Sequence, residues 1–345
     1  MMKNQGAILQ VRRISNPPNP YHSHWVEWID AAPLAKLEVF HEQVKSILTR
    51  VDSPDIGFRW SLNPYRGCQH SCAYCYARPF HQYLDWGAGT DFERKIVVKM
   101  NAAEKLRETL CKKGWRKENI GFSGITDCYQ PLEAHYEITK QCLEACLDFK
   151  NPVGIITKGA LVVRDIELLA KLHEATGKVG VGISIAFADD EMSKKLEPGT
   201  PRPSTRFRAL EKLSEAGIPT TVGVAPIIPG LNDDQIVEIL ERSYAAGARK
   251  AFKIMLRLPA EVKDVFLPKL GEQFPLRYER VINNVKNLRG GKLYTSEFGK
   301  RMKGEGEKWD VIEALFDLTC KKLGMNVRAI QKESVPETGT QMGLF

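Results

Sequence analysis

The sequence predicts an α/β domain, and three observations carry that expectation. Apolar, β-branched runs recur between amphipathic stretches from about residue 57 to residue 256, the runs do not alternate with polar residues, and the two patterns follow one another without a break. A strand covered on both faces loses the alternation of a half-exposed one, so runs such as VGIIT (153–157) point to a parallel sheet buried under helices. Continuous strand-helix alternation argues for one such domain.

Taken in order, a short strand at 57–64 leads into a cysteine-rich loop, and a helix at about 98–113 precedes the apolar run 119–127. The unit then repeats: helix 132–149 before strand 153–157, helix 163–175 before 178–186, helix 204–216 before 218–227, and helix 233–246 before 250–256. The helices carry apolar residues at three- and four-residue spacing, as in Ile166, Leu168, Leu169 and Leu172, with charges between them. Six strand-helix units result. A doubly wound sheet and a barrel both fit, because periodicity does not report closure; in either, the chemistry belongs at the C-terminal ends of the strands. Around this 56–257 core, residues 1–55 read as a Pro-rich and then weakly helical extension, 258–332 as a basic extension and 333–345 as a flexible tail.

Composition excludes several classes. With 345 residues, 43% hydrophobic and 27% charged, the chain resembles neither a disordered nor a fibrous protein. No run approaches the roughly 20 apolar residues of a membrane span, and the N-terminal stretch lacks the apolar centre of a secretory signal, so a cytoplasmic location is expected. In a reducing compartment thiols stay free, and a tight group of them ligates metal more often than it forms disulfides. Three of the eight cysteines fall within eight residues; Cys111, Cys128, Cys142, Cys146 and Cys320 are scattered.

The segment NPYRGCQHSCAYCYARPF sets Cys68, Cys72 and Cys75 in the spacing C-x-x-x-C-x-x-C. Three thiolates on one loop can hold a 4Fe-4S cube, leaving one iron without a protein ligand and open to a chelating small molecule. Gly67 permits a tight turn into the loop, and Tyr65, Tyr74, Tyr76 and Phe80 would limit water around it. A zinc ion completed by His70 or His81 is the competing reading, although no second C-x-x-C pair is present.

This cysteine spacing, with an aromatic residue before the last cysteine, resembles the signature of the radical SAM superfamily. The segments SGITDCYQPLE (123–133), VGIITKGALVVRD (153–165), GISIA (182–186), LEPGT (196–200) and GVAPIIPGLND (223–233) occur in the order and spacing of its spore-photoproduct-lyase-like branch, over about residues 57–257. The resemblance implies a partial (β/α)6 TIM-like barrel with N- and C-terminal extensions, a 4Fe-4S cluster and S-adenosylmethionine. It also implies that Tyr74 and Tyr76 flank the cofactor, Thr126 contacts its methionine part, Lys158 meets the carboxylate, Ser184 contacts the ribose or methionine group, and Ala225 lies near the adenine. A flavodoxin or ferredoxin would supply the electron. One departure stands out: where the branch carries a hydrogen-donating cysteine, this chain has Gly124. Cys128 is the candidate to take over that catalytic role, and Asp127 and Glu133 are expected to orient substrate or cap the helix beginning near Leu132.

Beyond the core, residues 277–304 carry eight basic residues against two acidic, with Tyr278, Tyr294 and Phe298 among them, a combination suited to phosphate contacts and base stacking. The final Gln341, Met342, Gly343, Leu344 and Phe345 resemble the bacterial sliding-clamp binding motif. The expected function is thus radical chemistry in DNA repair or modification. A small-molecule, protein or RNA substrate and a non-catalytic zinc-containing nucleic-acid-binding protein are the alternatives.

Overall fold

The computed structural model describes residues 13–23 and 31–327. Its main sheet holds six parallel strands, β3 (Trp60–Leu62), β6 (Ile120–Phe122), β7 (Val153–Thr157), β8 (Val179–Ser184), β9 (Thr220–Ile227) and β10 (Lys250–Met255). They lie side by side in chain order, and β2 (Leu48–Arg50) adds to β3 antiparallel. Order decides between the two architectures left open by the pattern. A doubly wound sheet reverses direction at a switch point, whereas here every crossover advances the same way. Right-handed crossovers then place the helices on one face, as in a barrel wall. Among the described residues β3 and β10 do not pair, so this is the open (β/α)6 wall of a partial TIM-like barrel.

Helices α2 (Ala102–Leu110), α4 (Ile138–Asp148), α5 (Ile166–Thr176), α7 (Pro203–Glu215) and α8 (Ile236–Ala245) cover that outer face. Each buries its apolar stripe: Leu106 and Leu110 on α2, Leu169 and Leu172 on α5, Ile239 and Leu240 on α8. The C-terminal helices α9 (Val262–Gln273), α10 (Tyr278–Asn287) and α11 (Glu307–Leu323) follow the last strand. Trp309, Ile312 and Phe316 join α11 to the same apolar core.

Three parts of the pattern are corrected. Residues 1–55 were expected to be weakly helical, but β1 (Glu38–Glu42) and β2 lie there, and the KIVVK run forms β5 (Lys95–Lys99) instead of opening helix 98–113. β1 pairs parallel with β5, and the short β4 (Tyr65–Arg66) pairs antiparallel with it, making a second sheet beside the cysteine loop. The expected helix 132–149 is divided into α3 (Glu133–Tyr136) and α4, because Glu137 adopts φ 52° between them. Two short helices, α1 (Thr90–Arg94) and α6 (Asp190–Leu196), complete the set.

His81 packs against Trp86 and Phe92 near this second sheet, and burial lowers its pKa to about 4. Since the unfolded value is about 6.5, the folded state prefers the neutral ring. This contribution is complete above about pH 6.5 and is lost as pH falls through the folded value. Thermal unfolding is therefore expected to move to lower temperature between about pH 6.5 and 4, and His81→Phe should flatten that part of the profile.

Candidate active site

The cysteine loop leaves the sheet through β4 and turns at Gly67, whose φ of +76° and close approach both require glycine. A Cβ there would stand 2.9 Å from the Phe92 carbonyl oxygen. The Cys68 amide donates to that carbonyl at 2.9 Å. Cys68 and Cys72 are buried and Cys75 is half-buried.

Arg78, with no exposed surface, holds the loop from within. Its Nε and Nη2 donate to the Cys72 carbonyl at 3.1 and 2.8 Å, its Nη1 to the carbonyls of Ala88 and Gly89 at 3.0 Å, and its Nη2 also to Glu93 at 2.6 Å. A guanidinium satisfied this fully pays its burial cost in bonds that fix one loop shape.

From β6, Thr126 donates its hydroxyl proton to the Gly67 carbonyl at 2.6 Å, and Gln130 reaches the same carbonyl and the Gln69 amide. Asp127 sits 3.2 Å from His70 Nδ1 and accepts from the Thr157 hydroxyl at 2.5 Å and the Lys158 amide at 2.8 Å. These partners, led by the His70 charge, hold its carboxyl well below the usual range despite burial.

The segment after β8 closes the other side. The Ala73 amide donates to the Leu196 carbonyl at 2.8 Å, and the Gly199 amide donates to the His70 carbonyl at 3.1 Å. A Cβ on Gly199 would fall 2.1 Å from the Gln69 carbonyl oxygen, so only glycine lets the two backbones meet. Tyr74 donates its hydroxyl to Glu197, which is also paired with Arg206; both charged groups are fully buried. Burial opposes ionisation of Glu197, yet Arg206 and then Lys158 lower its pKa to about 2. Arg206 also donates to the Ser184 carbonyl at 3.1 Å and the Pro201 carbonyl at 2.8 Å.

Tyr74, Tyr76, Thr126 and Lys158 thus gather around the loop, with Lys158 Nζ 5.6 Å from the centre of the Tyr74 ring. Ser184 joins through Arg206, while Ala225 stands half-buried on β9 with no side-chain bond to the loop. Cys128 lies fully inside the apolar core, its amide held by the Ser123 hydroxyl at 3.2 Å and its thiol pKa raised by burial. Glu133 caps a helix, as expected, but the helix is α4: its carboxylate accepts the Thr139 amide at 2.9 Å and the Lys140 amide at 3.3 Å.

Sequence reasoning assigned no role to Glu197, Arg206, Arg78 or Gln130. Arg206 carried one readable signal, because it shares the helical stripe of Ala209, Leu210 and Leu213, where a charge must be paired.

The donor set fits a cluster. Burial raises the pKa of all three thiols, that of Cys72 to about 12, and Cys68 and Cys72 are raised further by their neighbouring cysteines. Three thiolates so enclosed need a cationic centre. A closed tetrahedral zinc set would need a fourth side chain from this chain beside the three thiols. His70 is engaged with Asp127, and His81 with its aromatic neighbours.

A groove of about 580 Å³ opens beside the loop, where Ser61 and Asn63 at the first parallel strand approach Arg257 and Pro259 beyond the last. It lies at the unpaired seam of the barrel wall. Tyr76 reaches into it from the loop, donating its hydroxyl to the Gly124 carbonyl at 2.6 Å.

Residues 62–242 match the model of the radical SAM superfamily, and the chain belongs to that superfamily. It is an enzyme of the radical SAM class, a family that implies a 4Fe-4S cluster and S-adenosylmethionine. An uncharacterised protein of Mycobacterium tuberculosis is 37% identical over 240 residues, 68% of this chain and 70% of the relative. The radical SAM Nalpha-GlyT isomerase of Pseudomonas phage M6 is 29% identical over 188 residues, covering 53% of this chain and 36% of the phage protein. Among solved structures, spore photoproduct lyase with bound AdoMet and dinucleoside spore photoproduct shares the fold, with a TM-score of 0.59 at 16% identity over 83% of this chain and 80% of the other. Among the described residues no helix is long and apolar enough to cross a membrane.

Proposed function

We propose that Cys68, Cys72 and Cys75 hold a 4Fe-4S cluster and that the enzyme acts on a nucleic acid, DNA foremost, in repair or modification. When bound, the cluster and S-adenosylmethionine supply a carbon-centred radical able to abstract hydrogen, after one electron from a flavodoxin or ferredoxin. The chain's own residues bind and orient. Lys158 offers a point charge to the cofactor carboxylate, Tyr74 is pinned by Glu197, and the buried loop excludes water.

The observation that carries the nucleic-acid reading is the groove, which runs from Tyr76 on the cysteine loop to Tyr294 and Arg301 of the basic C-terminal extension. The fold neighbour spore photoproduct lyase, solved with a dinucleoside spore photoproduct, supports it. Cys128 enters as the hydrogen-returning thiol only if the 123–131 loop moves, since it has no exposed surface here. On that reading Cys128→Ala keeps 5'-deoxyadenosine formation and loses product, whereas unchanged product removes the role. The sliding-clamp residues Gln341, Met342, Leu344 and Phe345 lie outside the described residues.

The test is anaerobic reconstitution with iron and sulfide, then reduction with S-adenosylmethionine and assay for 5'-deoxyadenosine with and without DNA. Formation that rises when DNA is added is expected, with DNA binding that weakens steeply as salt is raised. A yield indifferent to DNA together with a flat salt response would sink the nucleic-acid reading.

A further inference from the structure

The seam groove carries chemistry that the cluster and cofactor do not use. Arg257 lies 4.9 Å over the Tyr76 ring, and Arg301 on the same rim is neutralised by Asp55 at 2.6 Å. Arg289 stands behind them, bonded to the carbonyls of Leu256 and Arg301 and packed 5.9 Å from the Tyr294 ring. It is 7% exposed, yet among the described residues its Nε and Nη1 meet no acceptor, and neither does Arg257 Nε. Buried donors without partners are costly, and two guanidinium groups crowded together add repulsion. Arg257 lines the groove, and an anionic oxygen beside it offsets the repulsion between the two guanidinium groups.

An acceptor lies unpaired on the same rim, since Glu261 Oε2 has no partner among the described residues. The far wall is aromatic and solvent-facing: Tyr83 is 67% exposed, Tyr21 63%, and their rings stand 5.8 Å apart at 35°. Large exposed rings lining a concavity mark a binding surface. An acidic peptide would use the arginines and leave Glu261 and the ring wall without function. A nucleotide uses all three, through a phosphate, a sugar hydroxyl or base N–H, and a flat base.

We propose that this groove binds an unpaired nucleotide segment, with a phosphate at Arg257 backed by Arg289 and a neighbouring, non-reacting base against Tyr83 and Tyr21. The site deepens the nucleic-acid reading above and rests on it. Duplex DNA keeps its bases stacked inside and cannot offer a free face to those rings, so the preferred ligand is single-stranded or locally opened.

The test measures fluorescence anisotropy of the full-length protein with a labelled oligothymidylate, the same sequence as duplex, and a poly-glutamate peptide. The single strand should bind tightest. The double variant Tyr21→Ala/Tyr83→Ala should weaken it about tenfold, a stacking-sized loss, and Arg257→Gln should reduce the salt slope by about one. Unchanged melting temperature and cluster absorbance identify these as binding effects, and a second variant, Tyr83→Phe, should bind as the parent does. Tighter duplex binding, stronger poly-glutamate binding, or indifference to both variants would overturn the proposal. Failure of the broader reading looks different: DNA would then fail to stimulate 5'-deoxyadenosine formation however the groove behaves.

Discussion

Alanine in place of Cys68, Cys72 or Cys75 is expected to remove bound iron and inorganic sulfide and to reduce 5'-deoxyadenosine formation by at least about a thousandfold. The reason is the absence of a substitute ligand. Around the loop, His70 is paired with Asp127, and Glu197 is committed to Arg206 and Tyr74. Each cysteine lies in a loop whose backbone is fixed by Arg78, Gln130 and the Leu196–Gly199 segment, so the loop cannot re-form around a different ligand set. The measurement is iron and sulfide content with the visible spectrum after anaerobic reconstitution. A variant that retained full iron and full turnover would refute the ligand assignment.

Glu197→Ala and Arg206→Met should each destabilise the fold by about 3–5 kcal/mol, because each leaves its former partner charged and buried. The pair is fully enclosed, and Arg206 also bonds to the backbone at Ser184 and Pro201 while Glu197 holds Tyr74. The double variant separates charge from geometry. Removing both charges should recover much of the lost stability, since no lone ion remains. It should not restore tight retention of the cluster, because Tyr74 and the loop lose their tether. Urea unfolding of the singles and the double, alongside iron release by a chelator, gives both readouts. Near-additive losses of stability would show that the two groups do not act as a pair.

How far the site was legible follows from range in sequence. The three thiols lie within eight residues, so their spacing alone announces a shared centre. The strand ends carrying Thr126, Lys158 and Ser184 were also legible, because continuous β-branched runs are recognisable without their neighbours. The residues that hold the loop were not. Tyr74 and Glu197 are separated by 123 positions and Gln69 and Gln130 by 61, and neither pair has a local pattern linking its members. Likewise the end of β5 overlaps the expected helix 98–113, since KIVVK is short and abuts a helical stretch; β1 across from it stabilises the extended form.

The sequence by itself determined the six strand-helix units, the grouping of three cysteines on one loop and the gathering of polar residues at strand ends, all written in short-range periodicity and spacing. Tertiary structure alone decided that the wall is an open barrel instead of a doubly wound sheet, that Arg78, Glu197 and Arg206 lock the loop, and that Cys128 is enclosed. Pairing order, burial and charge compensation depend on which distant segments meet, and a chain's local pattern does not encode those meetings until the strands have found their partners.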